Sequence, residues 1–201
     1  MINTISHLSN DFAKFISKTK AVSYGDFILK SGKRSNIFFN FGEIFYGNEM
    51  IRLGQFFADF IIAKSFNHFD VIFGPAYKGI NIVIQTSIAL YQKYGLLMPI
   101  AYNRKSEKDH AEGGNFIGYD LSLAKNILIL DDVITDCGTK YEVLDMLSGF
   151  SQILKKVIIV GVDRQEKDIC GRDYLSIFKE KTGIDIFSLT TKDNVLHHLK
   201  G

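Results

Sequence analysis

The chain has 201 residues, with 24 Lys and Arg against 22 Asp and Glu, a net charge of +2 and two cysteines. That length permits one domain with a sizeable core; the near-neutral balance gives no electrostatic case for nucleic acid or membrane partners, and no apolar run approaches the ~20 residues that span a bilayer. Cys137 and Cys170 lie in different segments, which argues against a disulfide framework, and residues 1–10 lack the pattern of a secretory signal, so a cytoplasmic location is expected.

Asp11–Ser17 carries apolar residues at helical spacing, with Ser9 or Asn10 as its N-cap. Phe27–Leu29 and Ser35–Asn40 alternate like strands around a Ser31-Gly32-Lys33 turn, which predicts a hairpin apart from the main sheet. Phe38 and Phe39 are neighbours on that strand, so their rings point to opposite faces. Taken alone, they read as ordinary core residues. Ile51–Lys64 is an amphipathic helix whose apolar face is Leu53, Phe56, Phe57, Phe60 and Ile61. Asp70–Phe73 is the first strand of the main sheet, and it ends in the loop Gly74-Pro75-Ala76-Tyr77-Lys78-Gly79. A helix then runs through Ile80–Tyr94. A lysine-bearing loop between a strand end and a helix start suits an anion such as pyrophosphate. Taken alone, the loop reads rather as a plain turn with a solvated lysine.

Leu97–Tyr102 is the next strand and leads into the most polar stretch, Asn103–Asn115. Arg104, Lys105, Lys108 and His110 bring four potential cations into seven residues, closed by Gly113-Gly114. The stretch fits a solvated hairpin tip, and it fits a lid closing over phosphates. Ile127–Leu130 is the third strand, apolar, rich in β-branched residues and too short for a helix. It runs into Asp131 and Asp132, then through Val133 and Ile134 to Thr135, Asp136, Cys137, Gly138 and Thr139. Tyr141, Leu144, Met146 and Leu147 follow at roughly helical spacing. Free backbone N–H groups at a helix start suit a phosphate. Two carboxylates would repel that phosphate, so they fit sugar hydroxyls or a divalent cation instead. The ligand implied is a phosphorylated sugar.

Val157–Val162, ending in Asp163 and Arg164, and Ile184–Leu189 complete the strands, and Asp193–Lys200 reads as a closing helix. Strands separated by helical patterns predict a single α/β domain over residues 1–201. Its sheet is doubly wound, mainly parallel and five-stranded, with helices on both faces. Ligands of such sheets bind beyond the C-terminal ends of the strands. Residues 74–79, 104–110, 131–139 and Arg164 all fall there.

Asp131–Thr139 resembles the phosphoribosyl-pyrophosphate (PRPP) motif of type I phosphoribosyltransferases. FILKSG (27–32), FFN (38–40), FGPAYKG (73–79), NRK (103–105), KDHAEGG (108–114) and DRQE (163–166) are similar, in order, to blocks of the orotate phosphoribosyltransferase family. The resemblance covers nearly the whole chain. It implies transfer of ribose 5-phosphate from PRPP to orotate, with Mg²⁺, by a homodimer whose lid loop reaches the neighbouring subunit's site. It also implies an N-terminal hood, about residues 1–45, over the nucleobase.

The same resemblance implies roles for residues. Asp131 and Asp132 hold the ribose hydroxyls, backbone N–H groups of Thr135–Thr139 cradle the 5′-phosphate, and Val133 and Ile134 also count among the PRPP-binding residues. Tyr77, Lys78, Arg104, Lys105, Lys108 and His110 grip the diphosphate, and Lys108, His110, Asp131 and Asp132 are the catalytic residues. Arg164, Thr135, Phe38 and Phe39 contact orotate, and Lys30 faces the base and counts among the PRPP-binding residues. Mg²⁺ is held mainly through PRPP, with Asp131 or Asp132 as the candidate side-chain ligands. A cis peptide is expected at Ala76–Tyr77. The alternatives are a transferase for another base, such as uracil or hypoxanthine, and a non-catalytic PRPP sensor. Two cations at the base pocket, Arg164 and Lys30, favour an acidic base. A sensor would want a DNA-binding element or basic patch, and the sequence shows neither.

The chain departs from the family pattern at Asp136-Cys137-Gly138-Thr139, where small residues with a glycine usually follow the threonine. Aligned without a gap, Cys137 replaces that glycine; with one inserted residue, Gly138-Thr139 match and the loop lengthens. Either way, Asp136 is expected to turn from the phosphate towards solvent or a nearby cation.

Overall fold

The computed structural model describes residues 2–28, 34–105 and 115–198. The 31–33 turn, Lys30, Lys108, His110 and the end of the closing segment lie outside them.

The first helix, α1, spans Ile2–Ile16, so Ser9 and Asn10 sit inside it rather than capping it. Ile5 and Leu8 extend the stripe of Phe12 and Ile16 back by two turns, and all four pack into one core. Ser9 finds a tertiary partner instead: its hydroxyl donates to Thr190 Oγ1 at 3.2 Å. Strands β1 (Val22–Ile28) and β2 (Arg34–Phe39) pair antiparallel in a two-stranded sheet of their own. Helix α2 follows over Gly47–Ala63.

The main sheet contains β3 (Val71–Gly74), β4 (Ile100–Asn103), β5 (Phe116–Gly118), β6 (Asn126–Ile134), β7 (Lys155–Asp163) and β8 (Ile186–Thr191). Their spatial order is β5-β4-β3-β6-β7-β8. The five expected strands are parallel, and β5 adds an antiparallel edge against β4. A three-residue strand beside a polar loop is too short for alternation to reveal it. The crossover helices are α3 (Lys78–Tyr94), α4 (Gly138–Leu147) and α5 (Tyr174–Thr182), and α6 (Lys192–His197) follows β8. Among the described residues, no helix is long and apolar enough to cross a membrane.

Alternation along β6 divides the core. Leu128 and Leu130 join a cluster with Phe12, Phe57 and Ile72, on the side of α1, α2 and α3. Ile127 and Ile129 join another with Val143, Leu147 and Phe178, on the side of α4 and α5. The chain leaves β3 towards β4 and later returns to β6 on β3's other side. That reversal opens a crevice at the C-terminal ends of β3 and β6, the usual ligand position in such sheets.

Candidate active site

Strand β6 does not stop at Leu130. It continues through both carboxylates to Ile134, paired with β7 at Asp131–Val160, Val133–Val162 and Ile134–Asp163. The ladder therefore fixes the backbone of the acidic pair, and the pleat sends the two side chains to opposite faces. Asp132, on the α3 side, accepts from Lys78 Nζ at 2.8 Å and from the Val133 N–H at 2.8 Å. Asp131, on the α4 side, accepts from the Asp132 N–H at 2.9 Å and from Lys140 Nζ. Burial, and then the neighbouring Asp131, push the Asp132 carboxyl above the usual carboxylate range, while Lys78 and Lys140 oppose them.

Lys140 is absent from the residues that the sequence singled out. It is 1% exposed, and its ammonium also reaches Val133 O at 3.2 Å and Thr139 Oγ1 at 3.3 Å. The readable signal was its phase, since Lys140, Val143 and Leu147 share the buried stripe of α4. The apolar spacing read through Met146 is out of phase with that stripe, and Met146, 37% exposed, borders the crevice instead of the core.

Before α4 the chain turns through Cys137, whose φ is +65°. That left-handed conformation is the one a glycine would take, which fits the ungapped alignment. Asp136 is exposed, but it faces neither a cation nor solvent alone. Its Oδ1 accepts from the Gly138 N–H at 3.0 Å, because a carboxylate two residues ahead reaches an orphan amide of the helix start.

Across the crevice, Gly74 and Gly79 bring the turns of the 74–79 loop together: a Cβ on Gly74 would lie 2.3 Å from Gly79 O. The Ala76–Tyr77 peptide is cis. The Ala76 N–H donates to Asn103 Oδ1 at 2.9 Å, which ties the loop to the end of β4. Lys78 is the first helical residue of α3 rather than a loop residue. Tyr77 is 69% exposed, with the Lys105 ammonium 5.0 Å above its ring.

These elements surround one cavity of about 930 Å³. Tyr77, Lys78, Arg104 and Lys105 line its β3–β4 side; Asp131, Asp132, Val133, Thr135, Asp136 and Thr139 line its β6–α4 side. Phe38, Phe39 and Arg164 close it. As adjacency on a strand requires, the two rings differ: Phe39 is buried in the core, whereas Phe38 is 39% exposed and packs on Phe27. Ile134 and Cys137 are buried and do not line the cavity, Ile134 because it still belongs to the ladder and Cys137 because its thiol turns inward towards Tyr174 O. Gly138 is also absent from the lining.

Arg164 pairs with Glu166 at 3.2 Å, the partner that a surface salt bridge would use, yet its guanidinium is buried. Nη2 also reaches Ser35 Oγ at 3.4 Å, and among the described residues Nε has no partner. Burial pulls its affinity for a proton down and Glu166 opposes this. A buried guanidinium with an unmatched donor on a cavity wall suits a planar anion. Among the described residues, no three His, Cys, Asp or Glu side chains gather as a metal site.

No protein-family model matches the chain. It is 38% identical over 194 residues to a curated orotate phosphoribosyltransferase of Cellvibrio japonicus, covering 95% of this chain and 87% of that protein. A namesake from Clostridium acetobutylicum is 34% identical over 189 residues, covering 94% and 84%. Among solved structures, an orotate phosphoribosyltransferase from Francisella tularensis superposes with a TM-score of 0.76 at 33% identity, covering 94% of this chain and 90% of that one.

Proposed function

The chain belongs to the orotate phosphoribosyltransferases, and from that premise we propose how its own residues carry the reaction of PRPP with orotate to orotidine 5′-phosphate and pyrophosphate, a step of pyrimidine biosynthesis. The bond from the anomeric carbon to the diphosphate breaks, and a bond from that carbon to a ring nitrogen of orotate forms. Such a displacement, with oxocarbenium-like character, asks the protein chiefly to position groups and to stabilise charge.

Asp131 and Asp132 accept from the ribose hydroxyls. Both carboxylates are fixed by backbone N–H groups and still have lone pairs free. The α4 N-terminus and the Thr135 and Thr139 hydroxyls take the 5′-phosphate. Lys78, Arg104, Lys105 and the amides of the 74–79 loop face the diphosphate, and Lys108 and His110 join them when the lid closes. The exposed ring of Phe38 lies against the base, and Arg164 takes the orotate carboxylate. Two carboxylates are the right donors for a hard cation but too few for its shell. Mg²⁺ would therefore be completed by PRPP oxygens and water, where it neutralises diphosphate charge. A homodimer with a shared lid, and a cytoplasmic location in keeping with two cysteines that form no disulfide, belong to the same proposal.

The observation that carries this reading is the pairing, across one cavity, of the acidic strand end with the buried, incompletely matched Arg164. Its test is Arg164→Ala. A charge-assisted hydrogen bond contributes about 1.5–3 kcal/mol. The KM for orotate should therefore rise roughly 10- to 100-fold, with the KM for PRPP nearly unchanged. Equal rises in both would remove the assignment.

A further inference from the structure

Asp131 and Asp132 are matched by lysines of opposite character. Lys78, which holds Asp132, has a side chain 42% exposed and lines the cavity, so it is free to turn towards an incoming diphosphate. Lys140, which holds Asp131, is 1% exposed and does not line the cavity. Its three oxygen partners, Asp131 Oδ2, Val133 O and Thr139 Oγ1, use the three donors of an ammonium. It has no route to a ligand, and no donor left for one.

Both Asp131 oxygens are thus engaged from the protein side, Oδ1 by the Asp132 N–H and Oδ2 by Lys140. One ammonium also ties the end of β6, through Val133 O, to the first turn of α4, through Thr139. A carboxylate held at both oxygens keeps its remaining lone pairs in fixed directions before any sugar arrives, and such pre-organisation lowers the ordering cost of binding.

We propose that Lys140 is a positioning residue for the ribose of PRPP, which acts through Asp131 and never touches the substrate. This rests on the reading that Asp131 accepts from the ribose hydroxyls. The acidic pair then divides in role: Asp132 exchanges a movable partner as the site fills, and Asp131 keeps a permanent one.

The test is a double-mutant cycle on PRPP affinity, measured by titration calorimetry on wild type, Lys140→Met, Asp131→Asn and the double variant. The KM for orotate serves as a second readout. Asp131→Asn and Lys140→Met should each weaken PRPP binding at least tenfold, the KM for orotate should stay within twofold in Lys140→Met, and the double variant should bind PRPP within twofold of Asp131→Asn. A buried lysine with only a structural role would lower the folded fraction and leave the affinity of the folded protein alone, so PRPP affinity within twofold of wild type in Lys140→Met overturns the proposal. Lys140→Met leaves a buried carboxylate unmatched and risks misfolding, but the double variant carries no unmatched charge. Should only the double variant fold, PRPP affinity within twofold of Asp131→Asn supports the proposal, and a further tenfold loss overturns it. Unchanged affinity in Asp131→Asn would instead remove the ribose assignment, a failure separate from that of Lys140.

Discussion

At residues 136 and 137, one backbone turn carries two departures from the family pattern. An L-residue in the left-handed region costs roughly 1–2 kcal/mol, and Cys137 occupies it at φ +65° while burying its side chain. Burial penalises the thiolate and pushes the Cys137 thiol up to about 12, with Lys140 opposing and the nearby carboxylates reinforcing. Cys170 is exposed. Iodoacetamide at pH 8 should therefore modify Cys170 alone in the folded protein and both cysteines after unfolding, as counted by mass spectrometry. Rapid modification of Cys137 in the folded state would contradict the inward thiol. Asp136 makes a different claim. Its bond from the Gly138 N–H should contribute about 0.5–1.5 kcal/mol to stability. Asp136→Ala should then lower Tm while the PRPP Kd shifts less than about tenfold across a salt series. Tightening by two orders of magnitude would mean that the carboxylate opposes the phosphate directly. Local chemistry made the acidic pair readable in the sequence, whereas the two alignments of 136–139 left open whether 137 takes the glycine's position. The partner of Asp136 was not readable, because the choice between solvent and an amide two residues ahead depends on the turn's dihedral angles.

At the level of elements, the site depends on how closely the 74–79 loop folds on itself. Gly74 has no room for a Cβ, and the obstruction is the backbone carbonyl of Gly79, which cannot rotate away. Gly74→Ala should destabilise by about 1–3 kcal/mol, as overpacking does, and should raise the KM for PRPP because the loop must open. Gly149→Ala, where a Cβ meets nothing within 4 Å, is the control and should stay within about 0.5 kcal/mol. Equal stability of the two variants by denaturant titration would remove the close-approach argument. Strand β6 shows what sequence pattern could and could not deliver. Its apolar run, Ile127–Leu130, was evident, but the strand was expected to end there, short of the polar pair Asp131 and Asp132. The ladder with β7 carries the strand past them, and pairing across strands is not visible along one segment. The phase of Lys140 on α4 was readable, but its pairing with Asp131 was not, since that depends on α4 lying against a strand nine residues earlier.

For the whole molecule, helical and strand periods were enough to assemble the parallel sheet and to bring its loops to one end. The antiparallel edge β5 was too short to register. The proposed shared lid predicts that an inactive Lys105→Ala, Lys108→Ala double variant and an inactive Asp131→Ala variant, mixed so that heterodimers form, regain part of the wild-type activity. Heterodimers without any recovery would mean that each subunit completes its own site.

In the proposed reaction one cavity joins a ribose-phosphate site on β6 and α4 to an anionic-base site at Arg164. Pyrophosphate release from PRPP by the wild-type protein, with orotate, uracil, hypoxanthine or adenine as acceptor, tests this pairing directly. Release should be rapid with orotate and little or none with the three bases that lack a carboxylate. Comparable release with uracil, or no release with any acceptor, would contradict the pairing.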